Sequence, residues 1–337
     1  MVLIFTNKED AHPNPVIDLL TERGVPFFRL NTECLLTDYA FSWKADGSGC
    51  DLEILDKTNG ARLIGSEITA VWDRRPERPK SLPIENTEKI NRHNLQEALG
   101  FLRFLRDSLV CVLSIGSIGR DRIASSKILQ QRLARECGFV FPDTVFGNTK
   151  DAIATMAKRH GRVCLKSIEG YDIWDEENGL DYVFFTQTLD SSALHDIPED
   201  AFIQTVNFVQ EYVPKDYELR VTVVGEEVFP AKILSQGLPE DKGKIDWRQG
   251  YDSGLIVQET VLPAEIRERC VRLVRALGLN FGCIDLIVRP DGEYVFLECN
   301  PNGQWLWVEL MTGMKISESI TDFLSNPSSD GMTDLMK

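Results

Sequence analysis

Positive charge, histidine and clustered cysteine are all scarce in this chain. Its 337 residues carry 52 Asp and Glu against 37 Lys and Arg, a net charge of −15 at pH 7. That balance disfavours nucleic acid as a partner, because phosphate contacts need a basic surface. The four histidines, at 12, 93, 160 and 195, supply neither a clustered zinc set nor a Ser-His-Asp or Cys-His arrangement. The eight cysteines, at 34, 50, 111, 137, 164, 270, 283 and 299, form no CxxC pair. Several sit in apolar runs such as RVCLK and FGCIDLIV, where a reduced, buried thiol acts as a small hydrophobe. No apolar run approaches the ~20 residues of a membrane span, so no membrane partner is expected. The opening MVLIFTNKEDAHPNP lacks a cationic stretch and soon turns polar. It reads as a first strand rather than an export signal, which makes the cytoplasm the expected location.

What is present is a globular composition, 43% hydrophobic and 26% charged, in a chain long enough for two or three compact units. VLIFT, then VIDLLTERG after Pro13 and Pro15, then PFFRLN predict a β-α-β opening of an open α/β domain. TAVWDRRP predicts a strand running into a loop, and INRHNLQEALGFLRFLRDSL has helical spacing. The reading divides the chain into an N-terminal domain over 1–115, a central lobe over 116–206 and a C-terminal lobe over 207–325. A tail over 326–337 is expected to fray. SSKILQQRLARECG predicts a helix with a serine cap and a closing glycine. TKDAIATMAKRHG predicts a second helix, and RVCLKS a strand. FIQTVNFVQEYVP is apolar and β-branched up to its breaking proline. YELRVTVVGEEVFPAKIL predicts a hairpin turning at Gly225-Glu226, and PAEIRERCVRLVRALG a helix.

The sharpest signal is IDLIVRPDGEYVFLECN. Asp291-Gly292 between apolar runs predicts a two-residue turn. With that turn Pro290 faces Glu293, Val288 faces Val295 and Ile287 faces Phe296. Asp285 then falls opposite Glu298, with Asn300 further along the same face. Paired side chains stand about 4.5–5.5 Å apart at Cβ. Two carboxylates there must share a proton or a cation. Two carboxylates and an amide oxygen suit Mg²⁺, which takes nucleotide phosphates as its remaining ligands. The alternative is a solvated strand face that carries acids.

The hairpin resembles the metal-binding end of the ATP-grasp superfamily, in which an acid on one strand precedes E-x-N on the next. Other landmarks of that superfamily follow in order. SSKILQQRLARECGFVFPDT resembles the segment with a first phosphate-binding lysine, here Lys127. RVCLKSIEG resembles the strand with a second, Lys166, followed by a loop over the phosphates. QEYVPKDYELRVTVVG resembles the interlobe hinge. The resemblance implies that Gln210, Glu211, Tyr212 and Val213 face adenine, that Glu218 meets the ribose, and that Arg220 stands near the transferred phosphate. Lys232 in PAKIL and Arg248 in DWRQG match further basic positions near the triphosphate. Glu218 with Arg220 departs from the D-x-R common among glutamate-adding members, although either acid accepts a ribose hydroxyl. The implied fold is mixed α/β: an open α/β pre-ATP-grasp domain and two lobes clasping ATP, with ATP and Mg²⁺ as cofactors.

Within the superfamily, ECNPNGQWLWVE, WDRRP and the hinge look like the microviridin-type graspetide macrocyclases, over most of the chain. That resemblance implies an ADP-forming ligase that joins Asp or Glu side chains of a ribosomal precursor peptide to Thr or Ser hydroxyls, or to Lys amines. The partner it implies has a leader helix and a Thr/Asp/Glu-rich core. The leader would dock near 168–190, including Tyr171, Ile173, Trp174 and Asp175. Arg74 and Arg75 either contact peptide carboxylates or form a solvated strand end. Trp305 and Trp307 form either substrate wall or core. An ester product and a homodimer are favoured. A RimK-like glutamate ligase shares the ATP site and stays open as an alternative, as does a non-catalytic ATP-binding module.

Overall fold

The computed structural model describes residues 1–47, 49–82, 87–109, 113–116, 118–169, 172–175, 180–239 and 242–326. At 118–119, 172–175, 180–183 and 195 it describes the backbone alone. The expected mixed α/β architecture is observed. β1 (Val2–Thr6), α1 (Pro13–Glu22) and β2 (Phe27–Asn31) open the chain, followed by α2 (Leu35–Asp38). A meander of β3 (Tyr39–Asp46), β4 (Gly49–Asp56) and β5 (Arg62–Ile64) comes next. β6 (Ala70–Asp73), α3 (Glu88–Ser108) and β7 (Leu113–Ile115) complete this region. A parallel sheet runs in the order β2-β1-β6-β7. β1 is buried along its whole length, which is why VLIFT is continuously apolar rather than alternating.

The chain continues through α4 (Ile118–Ala124), α5 (Lys127–Glu136), β8 (Thr144–Gly147), α6 (Lys150–His160) and β9 (Arg162–Lys166). Then come β10 (Asp172–Asp175), β11 (Leu180–Val183), β12 (Gln187–Asp190), α7 (Glu199–Ile203) and β13 (Asn207–Glu211). β12-β9-β13-β8 form an antiparallel sheet, and β10 pairs with β11. The apolar run beginning at Phe202 divides, because its first residues close α7 and only Asn207–Glu211 pair as strand. Ser126 caps α5 through its hydroxyl, which accepts from Leu129 N and satisfies one of the unpaired amides of the first turn.

The last region holds β14 (Tyr217–Val224), β15 (Glu227–Ile233), β16 (Val257–Glu259), α8 (Ala264–Ala276), β17 (Phe281–Val288), β18 (Tyr294–Asn300), α9 (Leu306–Thr312) and α10 (Ile316–Ser325). Its antiparallel sheet runs β16-β15-β14-β17-β18. α8 buries Ile266, Cys270, Val271, Leu273 and Val274 at helical spacing. Each large aliphatic covered this way contributes about 1.5–3 kcal/mol. Ile316, Ile320 and Leu324 of α10 share one core with Val2, Ile4 and Trp72 of the first sheet and with Phe281. α10 therefore packs back on the first sheet. Among the described residues no helix is long and apolar enough to cross a membrane.

Candidate functional site

A cavity of about 680 Å³ lies between the two antiparallel sheets, closed on one side by the 301–304 loop and the end of β6. β17 and β18 supply its acidic floor. Asp285 pairs with Glu298, as the turn argument expects, but by a different route. Leu286 pairs with Phe296, Ile287 with Val295 and Val288 with Tyr294, one residue off the expected register. Arg289 and Glu293 close a longer turn: Arg289 N donates to Glu293 O and Gly292 N to Arg289 O, both at 2.9 Å, and Gly292 sits at φ 88, a conformation a side chain rarely tolerates. An irregularity between Asp285 and Leu286 then restores the acid pairing. The extra residue of a bulge re-aims the strand beside the site.

The two acids are compensated from other strands and helices. Lys127, the first residue of α5, donates to Glu298 Oε2 at 2.6 Å. Arg220 of β14 donates through Nη1 to both Asp285 oxygens at 2.9 and 2.8 Å, and through Nη2 to Gln304 O at 3.2 Å. Burial works to raise the Glu298 carboxyl, but Lys127, Arg248 and Lys166 together outweigh it and hold the group at about 2. Burial pushes Asp285 up, with Arg220 opposing and Glu298 reinforcing. Asn300 Nδ2 reaches Asp285 Oδ2 at 3.3 Å and Glu298 Oε1 at 3.4 Å. The same amide turned over presents its oxygen, and amide orientation follows the partner present. Three oxygen-bearing groups thus converge where the protein already stabilises positive charge, a donor set that fits a hard divalent cation.

Above this floor, Lys166 Nζ donates to Gln210 Oε1 at 2.7 Å, and burial pushes its ammonium down. Gln210 in turn donates to Thr144 Oγ1 at 3.1 Å. Glu211 lines the cleft with Gln210, its carboxylate accepting from Arg289 Nη2 at 3.1 Å and from Asp143 N at 3.1 Å. The Tyr212 ring stacks under the Arg162 guanidinium at 4.8 Å, and Val213 is buried against Ile287 and Val295. Glu218 lines the cleft and accepts from Ser235 Oγ at 2.7 Å and from Lys215 Nζ. Burial raises its carboxyl against the pull of Lys215.

Lys232 stands apart. It pairs with Leu219, whose side chain shares the face opposite Glu218 and Arg220. Its ammonium rests over the Tyr217 ring at 3.7 Å, and it does not line the cavity. The expectation that it approaches a triphosphate is therefore corrected. Arg248 does line the cavity. Asp246 accepts from its Nε and Nη2, both at 2.7 Å. Asp246 Oδ2 also accepts from Thr186 N at 3.2 Å, across the cleft. Burial works to raise Asp246, but Arg248 holds it below the usual carboxylate range.

Sequence reasoning missed Lys215, Asp246, and the aromatic pair Trp247 and Tyr251. The i,i+3 spacing of Lys215 and Glu218 was the available signal. Trp247 lies 5.0 Å from Trp307, and Tyr251 meets both edge-on at 5.7 and 5.8 Å. Trp307 therefore belongs to the cleft wall and Trp305, fully buried, to the core. Arg74 and Arg75 separate too: Arg74 is buried, and Arg75 is exposed and lines the cleft. Gly303 is required by space. A Cβ there would stand 2.4 Å from Cys283 Cβ and 2.9 Å from Arg220 Nη2. Tyr171 lies outside the described residues. Ile173, Trp174 and Asp175 lie on β10, where only the backbone is described.

Comparison with known proteins supplies the context for this geometry. Residues 1–122 match the MvdD pre-ATP grasp domain, and residues 144–324 match the RimK-like ATP-grasp domain. A protein of Vibrio atlanticus called "Probable alpha-L-glutamate ligase" is 22% identical over 280 residues, 82% of this chain and 83% of its own length. The macrocyclase MdnC of Microcystis aeruginosa MRC, solved with precursor peptide MdnA, superposes with a TM-score of 0.81. It is 28% identical, and the match covers 96% of this chain and 98% of that one. A RiPP-associated ATP-grasp ligase of Chryseobacterium gregarium was solved with ADP and a leader and core peptide. It superposes at 0.86 with 26% identity, covering 96% of both chains.

Proposed function

The chain belongs to the RimK-like ATP-grasp family, and from that premise we propose that it uses ATP to activate Asp or Glu side chains of a ribosomal precursor peptide and joins them to Thr or Ser hydroxyls or Lys amines. The observation that carries the reading is the Asp285 and Glu298 pair, held by Arg220 and Lys127 at the floor of a cleft. The likeness to MdnC and to the Chryseobacterium ligase, both solved with peptide, supports a peptide as substrate.

In this reading Gln210 and the backbone of the 211–213 hinge hold adenine, and Glu218 accepts from the ribose. Lys127 and Lys166 pair with phosphate oxygens through charge-assisted hydrogen bonds. Asp285, Glu298 and the turned amide of Asn300 would hold Mg²⁺, whose chemistry when bound is to neutralise charge spreading over the transferred phosphoryl group. Arg220 and Arg248 stabilise the same developing charge from fixed positions. A peptide carboxylate oxygen attacks the γ-phosphorus, the bond to the β-bridging oxygen breaks, and ADP leaves. The hydroxyl or amine then attacks the acyl carbon, phosphate leaves, and the nucleophile's proton passes to solvent. Trp247, Tyr251 and Trp307 would exclude water, which otherwise hydrolyses the acyl phosphate.

The test is product analysis with ATP, Mg²⁺ and an acidic Thr-containing precursor peptide. ADP and phosphate should form, and each crosslink should remove one water from the peptide. AMP and pyrophosphate would indicate acyl-adenylate chemistry and refute the route. A second reading, glutamate ligation, draws on the "Probable alpha-L-glutamate ligase" relative. It predicts that free glutamate adds mass to an acceptor instead.

A further inference from the structure

The end of β6 places two adjacent arginines in opposite environments. Arg74 is 1% exposed. It is a strut between the first sheet and the 301–304 loop: its Nε lies 3.1 Å from Asp10 Oδ2, and its Nη1 donates to Asn302 O at 2.7 Å. Its backbone amide donates to Phe5 O at 2.8 Å. Asn302 returns the contact by donating to Asp73 O at 3.0 Å. These bonds fix the loop that accepts from Arg220 through Gln304 O.

Arg75 has none of these roles. It is the one described non-glycine residue with positive φ, at 48°. The strained backbone is held by buried Asn7, whose Nδ2 donates to Arg75 O at 2.9 Å. Non-glycine residues in this conformation are costly and persist where the surrounding structure fixes them, commonly at ligand sites. The turn aims Arg75 into the cleft, where it is an exposed lining residue. Every other lining cation has a partner: Lys127 holds Glu298, Lys166 holds Gln210, Lys215 holds Glu218, Arg220 holds Asp285 and Arg248 holds Asp246. No described residue pairs with the Arg75 guanidinium. In a chain of net charge −15, a cation left unpaired beside a second arginine favours an anion from outside.

We propose that Arg75 receives a side-chain carboxylate of the peptide substrate and so selects acidic peptides from the N-terminal domain. This rests on the peptide-ligase reading above and names a specificity residue for it. The guanidinium fork matches a carboxylate in two parallel hydrogen bonds, which lysine cannot reproduce. The nucleotide end of the cleft has its own cations, so the two jobs are separable.

The test compares wild type with R75G and R75K. Glycine suits φ 48° and so removes the side chain while relaxing the backbone. Calorimetry titrates a blocked Thr/Glu/Asp-rich peptide, and its Gln/Asn counterpart, into protein saturated with a non-hydrolysable ATP analogue. Loss of one charge-assisted bidentate pair should weaken the acidic peptide about tenfold or more in R75G, and R75K should recover part of that. Binding of the nucleotide analogue and of the Gln/Asn peptide should be unchanged, and R75G should melt no lower than wild type. Equal affinity of wild type and R75G for the acidic peptide, equal loss for the two peptides, or no binding by wild type overturns the proposal. Peptide-stimulated ADP release by wild type is measured alongside. Its absence counts against the ligase reading, whereas its presence with R75G indistinguishable from wild type counts against Arg75 alone.

Discussion

Replacing Arg220 by Met should destabilise the protein in a way that Mg²⁺ repairs. Arg220 is 6% exposed and neutralises Asp285 through two hydrogen bonds, while Asp285 faces Glu298 across the strands. Met keeps much of the volume but leaves a buried carboxylate beside another. Breaking a buried pair by removing one partner costs about 3–5 kcal/mol. At about 2 °C per kcal/mol for a chain of this size, the melting temperature in metal-free buffer should fall roughly 6–10 °C. If the two acids and Asn300 hold a divalent cation, Mg²⁺ at 100 times its dissociation constant returns about 2.7 kcal/mol, most of the loss at the lower bound and about half at the upper. Wild type should gain less, because Arg220 already occupies Asp285. The double variant R220M/D285N removes both charges and should melt near wild type without metal. The assay is differential scanning fluorimetry with EDTA or with Mg²⁺ at matched ionic strength. An R220M protein that melts identically in both buffers would refute the metal assignment. A double variant as unstable as R220M would refute the uncompensated-charge argument.

Glu298 gives a pH dependence of definite sign. Its carboxyl is held at about 2 against an ordinary 4.5, so its contribution is present above about pH 4.5 and is lost as pH falls toward 2. In metal-free buffer the urea midpoint of wild type should therefore drop across that window more steeply than that of E298Q, and parallel slopes would contradict the pairing. D246N should leave ATP binding near normal but lower kcat by about tenfold or more, since Arg248 loses its second anchoring oxygen and small displacements in a site are costly. An unchanged kcat would remove Asp246 from the positioning role. Lys127→Ala and Lys166→Ala should each weaken ATP much more than AMP, measured by calorimetry, because phosphate rather than adenine is the lost partner. Equal losses for the two nucleotides would speak against that placement.

The sequence alone determined whatever depends on short-range periodicity and turn chemistry. VLIFT had to form a buried strand and PFFRLN a second strand, Ser126 had to cap a helix, and Gly225-Glu226 had to turn a hairpin. The opposition of Asp285 and Glu298 was legible too, although by a register the structure does not use. A longer turn and a bulge shift the strand by one residue and then shift it back, and side-chain alternation alone cannot register two compensating insertions. Motif order placed Lys127, Lys166, Arg220 and Arg248 along the cleft. It failed for Lys232, because which face a strand residue takes is settled by the neighbours it pairs with. Only the tertiary structure decided that α10 completes the first sheet's core, that Asp246 spans the cleft to Thr186, and that two adjacent arginines divide into a buried strut and a cleft cation. Those outcomes depend on contacts between residues tens to hundreds of positions apart. Such contacts are fixed by packing and by the pairing of buried charge, and neither leaves a local pattern in the chain.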